Sequence, residues 1–157
     1  MDATRRPLTE SELDTLMSAL LKERKERGSP ALLVSDPYQT RLYLHTQSHH
    51  GNVIVFTQEG TLAGILIYTV GGLWWSKERV LFEELVLSAG AHGVQREAIK
   101  ALDRLAHDFD CALIVSGCLI QGKPQMVMNG YKKAGFTIVN PLALKLCKGS
   151  DTVCSPS

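Results

Sequence analysis

The chain is 157 residues long, which is the size of a single globular domain. Hydrophobic residues make up 45% and charged residues 21% of it, and this ordinary composition excludes wholesale disorder. The formal net charge is only +1, which excludes a global electrostatic attraction to nucleic acid or to an anionic membrane.

The first predicted element is a helix that begins after Thr9. Thr9 and Glu12 have the spacing of a capping box. Leu8 and Leu13 stand at the two positions of a hydrophobic staple around this start. Apolar residues then recur at the three- and four-residue spacing of an amphipathic helix, until Gly28 gives a typical stop signal.

A second helix is predicted at residues 37–49, because Asp36 followed by a proline is typical of a helix start. Two apolar and β-branched runs follow at 53–57 and 62–70, with a turn between them. This pattern predicts a β-hairpin, and the double glycine at 71–72 is expected to end its second strand.

The remaining predicted elements are, in chain order, a strand at 80–87, a small-residue loop at 88–93, a helix to about residue 108, a strand at 112–115 that 118–120 extends, a helix at 124–134, and closing strands at 138 and 142–147. A strand–helix–strand unit predicts a right-handed parallel crossover, whereas the hairpin strands are antiparallel. The fold class is therefore α/β, with a mixed, mostly antiparallel sheet and helices on both faces. We expect residues 1–148 to form one domain and 149–157 to be a tail.

The compartment and the excluded partners follow from what the chain lacks. No apolar run approaches the ~18–20 residues of a membrane span, and the N-terminal residues have no apolar stretch typical of a secretory signal. Two pairs of cysteines are each seven residues apart, which does not fit a zinc site. We expect reduced thiols, a cytoplasmic protein, and neither a membrane nor a nucleic-acid partner. The cysteines are Cys111, Cys118, Cys147 and Cys154.

The loop at 88–93 is the feature most informative about function. Gly90, Ala91 and Gly93 allow a ligand to approach the backbone closely. The first amides of the following helix have no partner within the helix and lie at the positive end of its dipole, so they can bind an anion such as a pyrophosphate. The same composition also fits a plain, tight strand-to-helix connection. The loop is not a Walker loop, because no Gly-Lys-Ser/Thr follows it.

The segment YKKAGF, at residues 131–136, is the second informative feature. Gly135 is typical of a helix end, and the two lysines lie near the negative end of the helix dipole. The hydroxyl of Tyr131 can donate a proton, although the same side chain could equally fill the core.

Four segments of the chain resemble the GCN5-related N-acetyltransferase (GNAT) superfamily, in the order of that family. They are TRRPLTESELDTLMSAL, VIVFTQEGTLAGILIY, VLFEELVLSAGAHGVQREAIKALDRLA and MVMNGYKKAGF. They are similar to the first strand and helix, the second and third strands with the glycine after their turn (Gly64), the fourth strand with the acyl-CoA loop and its helix, and the tyrosine-containing helix end. The match spans roughly residues 4–148 and implies a GNAT-like acyl-CoA N-acyltransferase fold.

The resemblance also implies a site. It implies a V-shaped opening between the strand at 81–87 and the strand at 112–115, with acetyl-CoA as the cofactor and an amine as the acceptor. Tyr131 would protonate the departing thiolate, and Glu84 or its neighbour Glu83 would deprotonate the attacking amine. The implied cofactor-binding residues are Leu87, Gly90, Ala91, His92, Gly93, Val94 and Gln95.

The loop departs from the family pattern Gln/Arg-x-x-Gly-x-Gly/Ala. Gly90 stands at the first position, Gly93 is kept, and Gln95 stands where the last small residue is usual. Two hypotheses follow. The protein is either an acyl-CoA-dependent N-acyltransferase, or a non-catalytic GNAT-fold structural or adaptor protein without a cofactor, such as a virion or assembly component of a tailed phage. A structural or adaptor protein of this kind would have protein partners or form a homo-oligomer, and it would be assembled into a particle.

Two further residue pairs have less specific interpretations. His49 and His50 have no evident third metal ligand, and a partner for the helix dipole is the alternative. Trp74 and Trp75 are adjacent, and adjacent residues of a strand face opposite ways. We therefore expect one tryptophan in the core and the other exposed, at a substrate wall or a protein interface.

Overall fold

The computed structural model describes residues 1–27, 36–116 and 124–138. Their elements, in chain order, are β1 (Asp2–Arg5), α1 (Glu10–Arg27), α2 (Pro37–His49), β2 (Val53–Gln58), β3 (Thr61–Gly72), β4 (Arg79–Ser88), α3 (Val94–Asp108), β5 (Leu113–Ser116) and α4 (Pro124–Lys133). The strands form one sheet in the order β1-β2-β3-β4-β5. The pairs from β1 to β4 are antiparallel, and β4 pairs with β5 in parallel. The mixed, mostly antiparallel α/β fold predicted from the sequence is confirmed.

Some local predictions differ from the structure. β3 does not end before the double glycine, because Gly71 and Gly72 pair with Val80 and Arg79 of β4. Ladder pairing needs only an extended backbone, so glycine weakens a strand without ending it. Ile138, expected in a closing strand, lies in no strand of the described residues. The predictions for 118–120, 142–147 and the tail fall outside those residues.

The start of α1 has the predicted cap. The Glu12 amide donates to Thr9 Oγ1 at 3.2 Å, and the Thr9 amide donates to the Glu12 carboxylate at 2.9 Å, which completes a capping box. Arg6 donates two more hydrogen bonds to Glu12, at 2.8 and 2.6 Å. Its guanidinium is the main reason that the pKa of Glu12 falls from 4.5 to about 2. The staple residues Leu8 and Leu13 are buried in one cluster.

α2 also begins where the sequence predicts. Asp36 caps it by accepting a hydrogen bond from the Gln39 amide at 3.0 Å. Arg41 of α2 forms ion pairs with Glu10 and Asp14 of α1, at 2.6 and 2.7 Å. These contacts tie α2 to α1 on the same side of the sheet.

Two hydrophobic clusters lie on the two faces of the sheet. In β3, Ile65 and Ile67 belong to one cluster, while Leu66 and Tyr68 belong to the other. Because alternate residues of a strand face opposite sides, the clusters are on opposite faces. α1 and α2 contribute to the first cluster, and α3 and α4 to the second. Of the helices described, none has the length and apolar character needed to cross a membrane.

A β-bulge in β4 changes which face its residues occupy. The register between β3 and β4 shifts at residues 67–68, which pair with Leu85 and Glu83, so Glu84 is the extra residue. Leu85 packs against the cluster of α1 and α2. Glu83 lies on the opposite face, where its carboxylate contacts Tyr131 of α4. The bulge therefore allows a carboxylate to lie inside the layer of α3 and α4.

Candidate active site between β4, β5 and the start of α3

The loop between β4 and α3 presents an open helix N-terminus. Gly93 precedes α3 with φ of 86°, and no side chain in the described part of the chain caps the helix. Gly90 has φ of 103°, a conformation that favours glycine. Ser88 Oγ accepts from the Gly90 amide at 3.2 Å and donates to the Ala91 carbonyl at 2.8 Å. The loop is thus folded by its own hydrogen bonds, and the first amides of α3 are suited to an anion.

Gly64 sets how closely the start of α3 approaches the sheet. A Cβ on Gly64 would lie 2.5 Å from the Leu87 carbonyl oxygen and 2.7 Å from Val94 Cγ1. Gly64 pairs with Ser88, the last residue of β4 before the loop. The absence of a side chain at this position therefore allows the first residue of α3 to lie close to the end of β4.

Gln95 directs its side chain away from the loop. Its Nε2 donates a hydrogen bond of 2.7 Å to the hydroxyl of Tyr131, and the side chain is half-buried. The space in front of the loop amides is therefore not taken by the glutamine side chain. Its partnership with Tyr131 was not predicted, because no local sequence pattern pairs residues that lie 36 positions apart.

The end of α4 holds Tyr131 in place. The Phe136 amide donates to the Tyr131 carbonyl at 3.0 Å, the Gly135 amide donates to the Lys132 carbonyl at 3.1 Å, and Gly135 has φ of 90°. These are the two bonds and the left-handed residue of a Schellman helix end. The rings of Tyr131 and Phe136 meet edge to face, with centroids 5.0 Å apart. The YKKAGF segment thus ends the helix and packs the tyrosine.

Glu83 and Tyr131 form a buried hydrogen-bonded pair. Tyr131 is 2% exposed and Glu83 is 7% exposed, and the Tyr131 hydroxyl donates to Glu83 Oε2. Burial raises the pKa of Glu83 because the charged carboxylate loses its hydration, while the hydrogen bond from Tyr131 and the nearby hydroxyl of Ser116 lower it in part. The pair therefore combines a hydroxyl with a carboxyl that holds its proton more readily than usual.

Within the described residues, β4 and β5 pair in register from Val80–Leu113 to Glu83–Ser116. The residues that follow Ser116 lie outside the described part of the chain. Ser116 Oγ is buried and makes no hydrogen bond of ordinary geometry within the described part of the chain, yet it lies close enough to Glu83 to affect its pKa. Glu83 and Ser116 are therefore partners in register on adjacent strands, and the opening expected beyond them stays a prediction.

Glu84, the other candidate base, lies on the face opposite Tyr131. It is exposed and accepts a hydrogen bond from Thr69 Oγ1 at 2.8 Å. Burial, and then the charge of Glu84, raise the pKa of Tyr43 in α2. The structure thus brings Glu83 together with Tyr131, and places Glu84 on the side of α2.

The other residues implied as cofactor ligands differ in exposure. Leu87 and Val94 are buried in opposite clusters, so they can offer only backbone groups to a ligand. Ala91 is half-buried, whereas Gly90 and His92 are exposed at the loop surface.

Trp74 and Trp75 are both exposed, by 91% and 65%, so the prediction that one is in the core is wrong. They lie in the turn between β3 and β4, where strand alternation does not apply.

His49 stacks on His45 at 4.1 Å between ring centroids, and the described residues contain no group of side chains able to hold a metal. Cys111 is a free thiol; the other three cysteines lie outside the described residues.

Known proteins share this fold over nearly their whole length. No protein-family model matches the chain, and no curated protein matches it. Among solved structures, the aminoglycoside N-acetyltransferase AAC(6')-Iy in complex with CoA is 10% identical with a TM-score of 0.62, over 94% of this chain and 96% of that one. The apo aminoglycoside antibiotic 6'-N-acetyltransferase AAC(6')-IG of Acinetobacter haemolyticus is 13% identical with a TM-score of 0.60, over 96% and 100%.

A third solved structure contains acetyl-CoA rather than CoA. It is a predicted acetyltransferase of Clostridium acetobutylicum with acetyl-CoA, 12% identical with a TM-score of 0.58, over 92% of this chain and 96% of that one. At these identities the similarity defines the fold. The chain has the GNAT acetyltransferase fold, as its sequence resemblance implies.

Proposed function

We propose that the protein is an acyl-CoA-dependent N-acyltransferase that transfers an acetyl group directly from acetyl-CoA to an amine. The orientation of Gln95 is the observation that carries this proposal. Its side chain leaves the amides at the start of α3 accessible and contacts the candidate acid Tyr131 instead. The solved structures of similar fold that contain CoA or acetyl-CoA support the same cofactor.

The described residues fit an acyl-CoA in their donor chemistry. The uncapped amides after Gly93 favour the negative charge of a pyrophosphate. Within the described part of the chain, Ser116 Oγ is a buried polar atom without a hydrogen bond of ordinary geometry, in register with Glu83. When bound, acetyl-CoA would supply the acyl thioester, and the loop residues from Leu87 to Gln95 would hold its pyrophosphate.

In this proposal Tyr131 is the acid that protonates the departing thiolate. Glu83 suits the role of base better than Glu84 does, because its pKa is raised by burial and a carboxylate of higher pKa removes a proton more readily. Glu84, on the side of α2 beside Tyr43, is better placed to attract a cationic acceptor. Residues 1–148 would form one catalytic domain, followed by a tail at 149–157.

The non-catalytic alternative is the weaker proposal. It rests on the departures of the loop from the family pattern at Gly90 and Gln95, and the Gln95 side chain is directed to Tyr131 rather than across the loop amides. The similar structures named above are acetyltransferases, and none of them supports a virion or assembly role.

The test is the release of free CoA thiol from acetyl-CoA in the presence of a panel of amines: an aminoglycoside, a polyamine and a lysine peptide. We expect release that depends on one of these amines and falls about 10²–10⁴-fold in Tyr131→Phe. Tyr38→Phe is the matched control, because Tyr38 is 71% exposed. If no amine supports release from saturating acetyl-CoA, the transferase proposal is wrong.

A further inference from the structure

Three polar side chains from three elements meet at one oxygen atom. Gln95 of α3 donates through Nε2 to the Tyr131 hydroxyl at 2.7 Å. Tyr131 of α4 donates its own proton to Glu83 of β4. Because an amide nitrogen only donates, the phenolic oxygen is the acceptor of the first bond, and its single proton is committed to the second.

This arrangement limits when Tyr131 can act as an acid. Its proton lies on a carboxylate rather than on a leaving group. If Tyr131 lost that proton while Glu83 was ionised, two negative charges would stand side by side in a buried site, which is strongly unfavourable. Tyr131 is therefore an effective acid only when Glu83 is neutral, and Glu83 becomes neutral by accepting a proton.

We infer that Glu83 and Tyr131 act as one proton-transfer pair, positioned by Gln95. Glu83 takes the proton from the amine nitrogen as the C–N bond forms, directly or through one water. Tyr131 gives its proton to the sulfur as the C–S bond breaks. The proton on Glu83 then returns to the Tyr131 oxygen along their hydrogen bond. One proton leaves nitrogen and one reaches sulfur, so the pair ends each turnover in its starting state; the inference rests on the proposed transferase function.

The surroundings of Glu83 suit this role. It is in register with Ser116 of β5 and lies on the face of the sheet that Tyr131 of α4 covers. The described polar groups that affect its charge are the hydroxyl of Tyr131 from α4 and that of Ser116 from β5. Its partner in register on β3, Tyr68, directs its hydroxyl to the Gly51 carbonyl at 3.1 Å. Among the described groups, the Tyr131 oxygen is the one in direct hydrogen-bond contact with Glu83 and so the acceptor for its proton.

Gln95 is the positioning residue of the pair. Its side-chain amide stabilises negative charge on the Tyr131 oxygen, and it stands in the first turn of α3, whose amides form the candidate anion site. Gln95→Leu removes that hydrogen bond while keeping a side chain of similar size. We expect it to lower kcat about tenfold and to shift the pH profile of kcat, whereas a purely structural role would leave the profile unchanged.

One test needs neither cofactor nor acceptor. The carboxyl carbon of Glu83 can be followed by NMR during a pH titration of ¹³C-glutamate-labelled free protein, with Glu83→Gln to assign its signal. We expect the Glu83 pKa to lie above the ordinary range, and to rise further in Tyr131→Phe, because the phenolic hydrogen bond favours the carboxylate. A Glu83 titration that Tyr131→Phe leaves unchanged would overturn the pairing.

The kinetic test compares Glu83→Gln, which keeps the shape but cannot exchange a proton, with Glu83→Asp, which keeps a carboxyl. We expect kcat to fall about 10²–10⁴-fold in the first, with KM for acetyl-CoA within a few-fold of wild type, and to recover in part in the second. Glu78→Gln, at an exposed glutamate of the β3–β4 turn, is the matched control.

The outcomes separate the two proposals. If the wild-type protein transfers no acetyl group, the proposed function fails and the proton-transfer pair with it. If the wild-type protein is active and folded Glu83→Gln is equally active, only the pair is overturned. If Glu83→Gln does not fold, the activity of Glu83→Asp relative to wild type and the titration in Tyr131→Phe decide, with the Glu83 signal assigned from its loss in Glu83→Asp.

Discussion

The side-chain amide of Gln95 donates a hydrogen bond to the hydroxyl of Tyr131 across 2.7 Å. Gln95, in the first turn of α3, stands where the family pattern has a small residue, and facing outward it would obstruct a phosphate. The contact with Tyr131 turns it inward. The departure from the family pattern therefore leaves the candidate anion site accessible and joins it to the residue proposed as the acid.

Replacing Gly64 should test how the start of α3 is held. Gly64→Ala places a Cβ 2.5 Å from the Leu87 carbonyl oxygen, so the backbone must shift, and we expect a loss of about 1–3 kcal/mol in the free energy of unfolding. The control Gly130→Ala adds a methyl group 3.7 Å from Ile99 Cδ1, within a helix that favours alanine by up to about 1 kcal/mol. Urea unfolding measures both, and equal stabilities would contradict the close packing.

The hydroxyl of Tyr131 should stabilise the fold, in addition to its proposed role as the acid. Tyr131→Phe leaves Glu83 buried without its phenolic donor, which should cost about 1–3 kcal/mol at neutral pH. The loss should become smaller at acidic pH, where Glu83 is neutral. Tyr38→Phe, at an exposed residue, should change stability little. Urea unfolding at both pH values checks this, and a pH-independent loss would argue against a carboxylate partner.

Acid should weaken the start of α1 through Glu12. Its pKa is lowered from 4.5 to about 2, chiefly by Arg6, so the native state favours the ionised form. The resulting stabilisation is fully present above pH 4.5 and is lost as the pH falls to about 2; after solvent screening we expect about 1 kcal/mol. Glu12→Gln should remove this part of the pH dependence of urea unfolding, and Glu59→Gln, an exposed turn residue, should not. An unaltered pH dependence in Glu12→Gln would be the contrary result.

The local signals in the sequence predicted the starts of the helices. The bonds of Thr9 with Glu12, and of Asp36 with Gln39, span three residues, so the residue types alone specify them. The turn of Trp74 and Trp75 was less predictable, because β3 and β4 extend through the double glycine by pairing with each other. That extension moves both tryptophans out of the strands.

The site itself was only partly predictable. The family resemblance implies the roles of Tyr131 as acid and of the loop as cofactor site. The choice between Glu83 and Glu84 as base depends on the bulge opposite residues 67–68. A bulge arises from the register of two strands, which no spacing within β4 records. The contact of Gln95 with Tyr131 likewise requires the packing of α3 against α4.

Binding at the loop should depend on the left-handed backbone of Gly93. Gly93→Val introduces a β-branched side chain at φ of 86°, which costs about 1–2 kcal/mol and displaces the first amides of α3. We expect the affinity for acetyl-CoA to fall about tenfold or more, measured by calorimetry. Gly72→Val, in an extended and exposed part of β3, is the matched control. Equal affinities in the two variants would place the cofactor elsewhere.

Thermal unfolding with and without acetyl-CoA tests the central claim most directly, because it needs no acceptor. A ligand at one hundred times its Kd adds about 2.7 kcal/mol to the free energy of unfolding. At this chain length each kcal/mol raises Tm by about 2–4 °C or somewhat more. We predict a rise of several degrees that Gly93→Val diminishes. An unchanged Tm at millimolar acetyl-CoA would contradict the claim that this loop binds acyl-CoA.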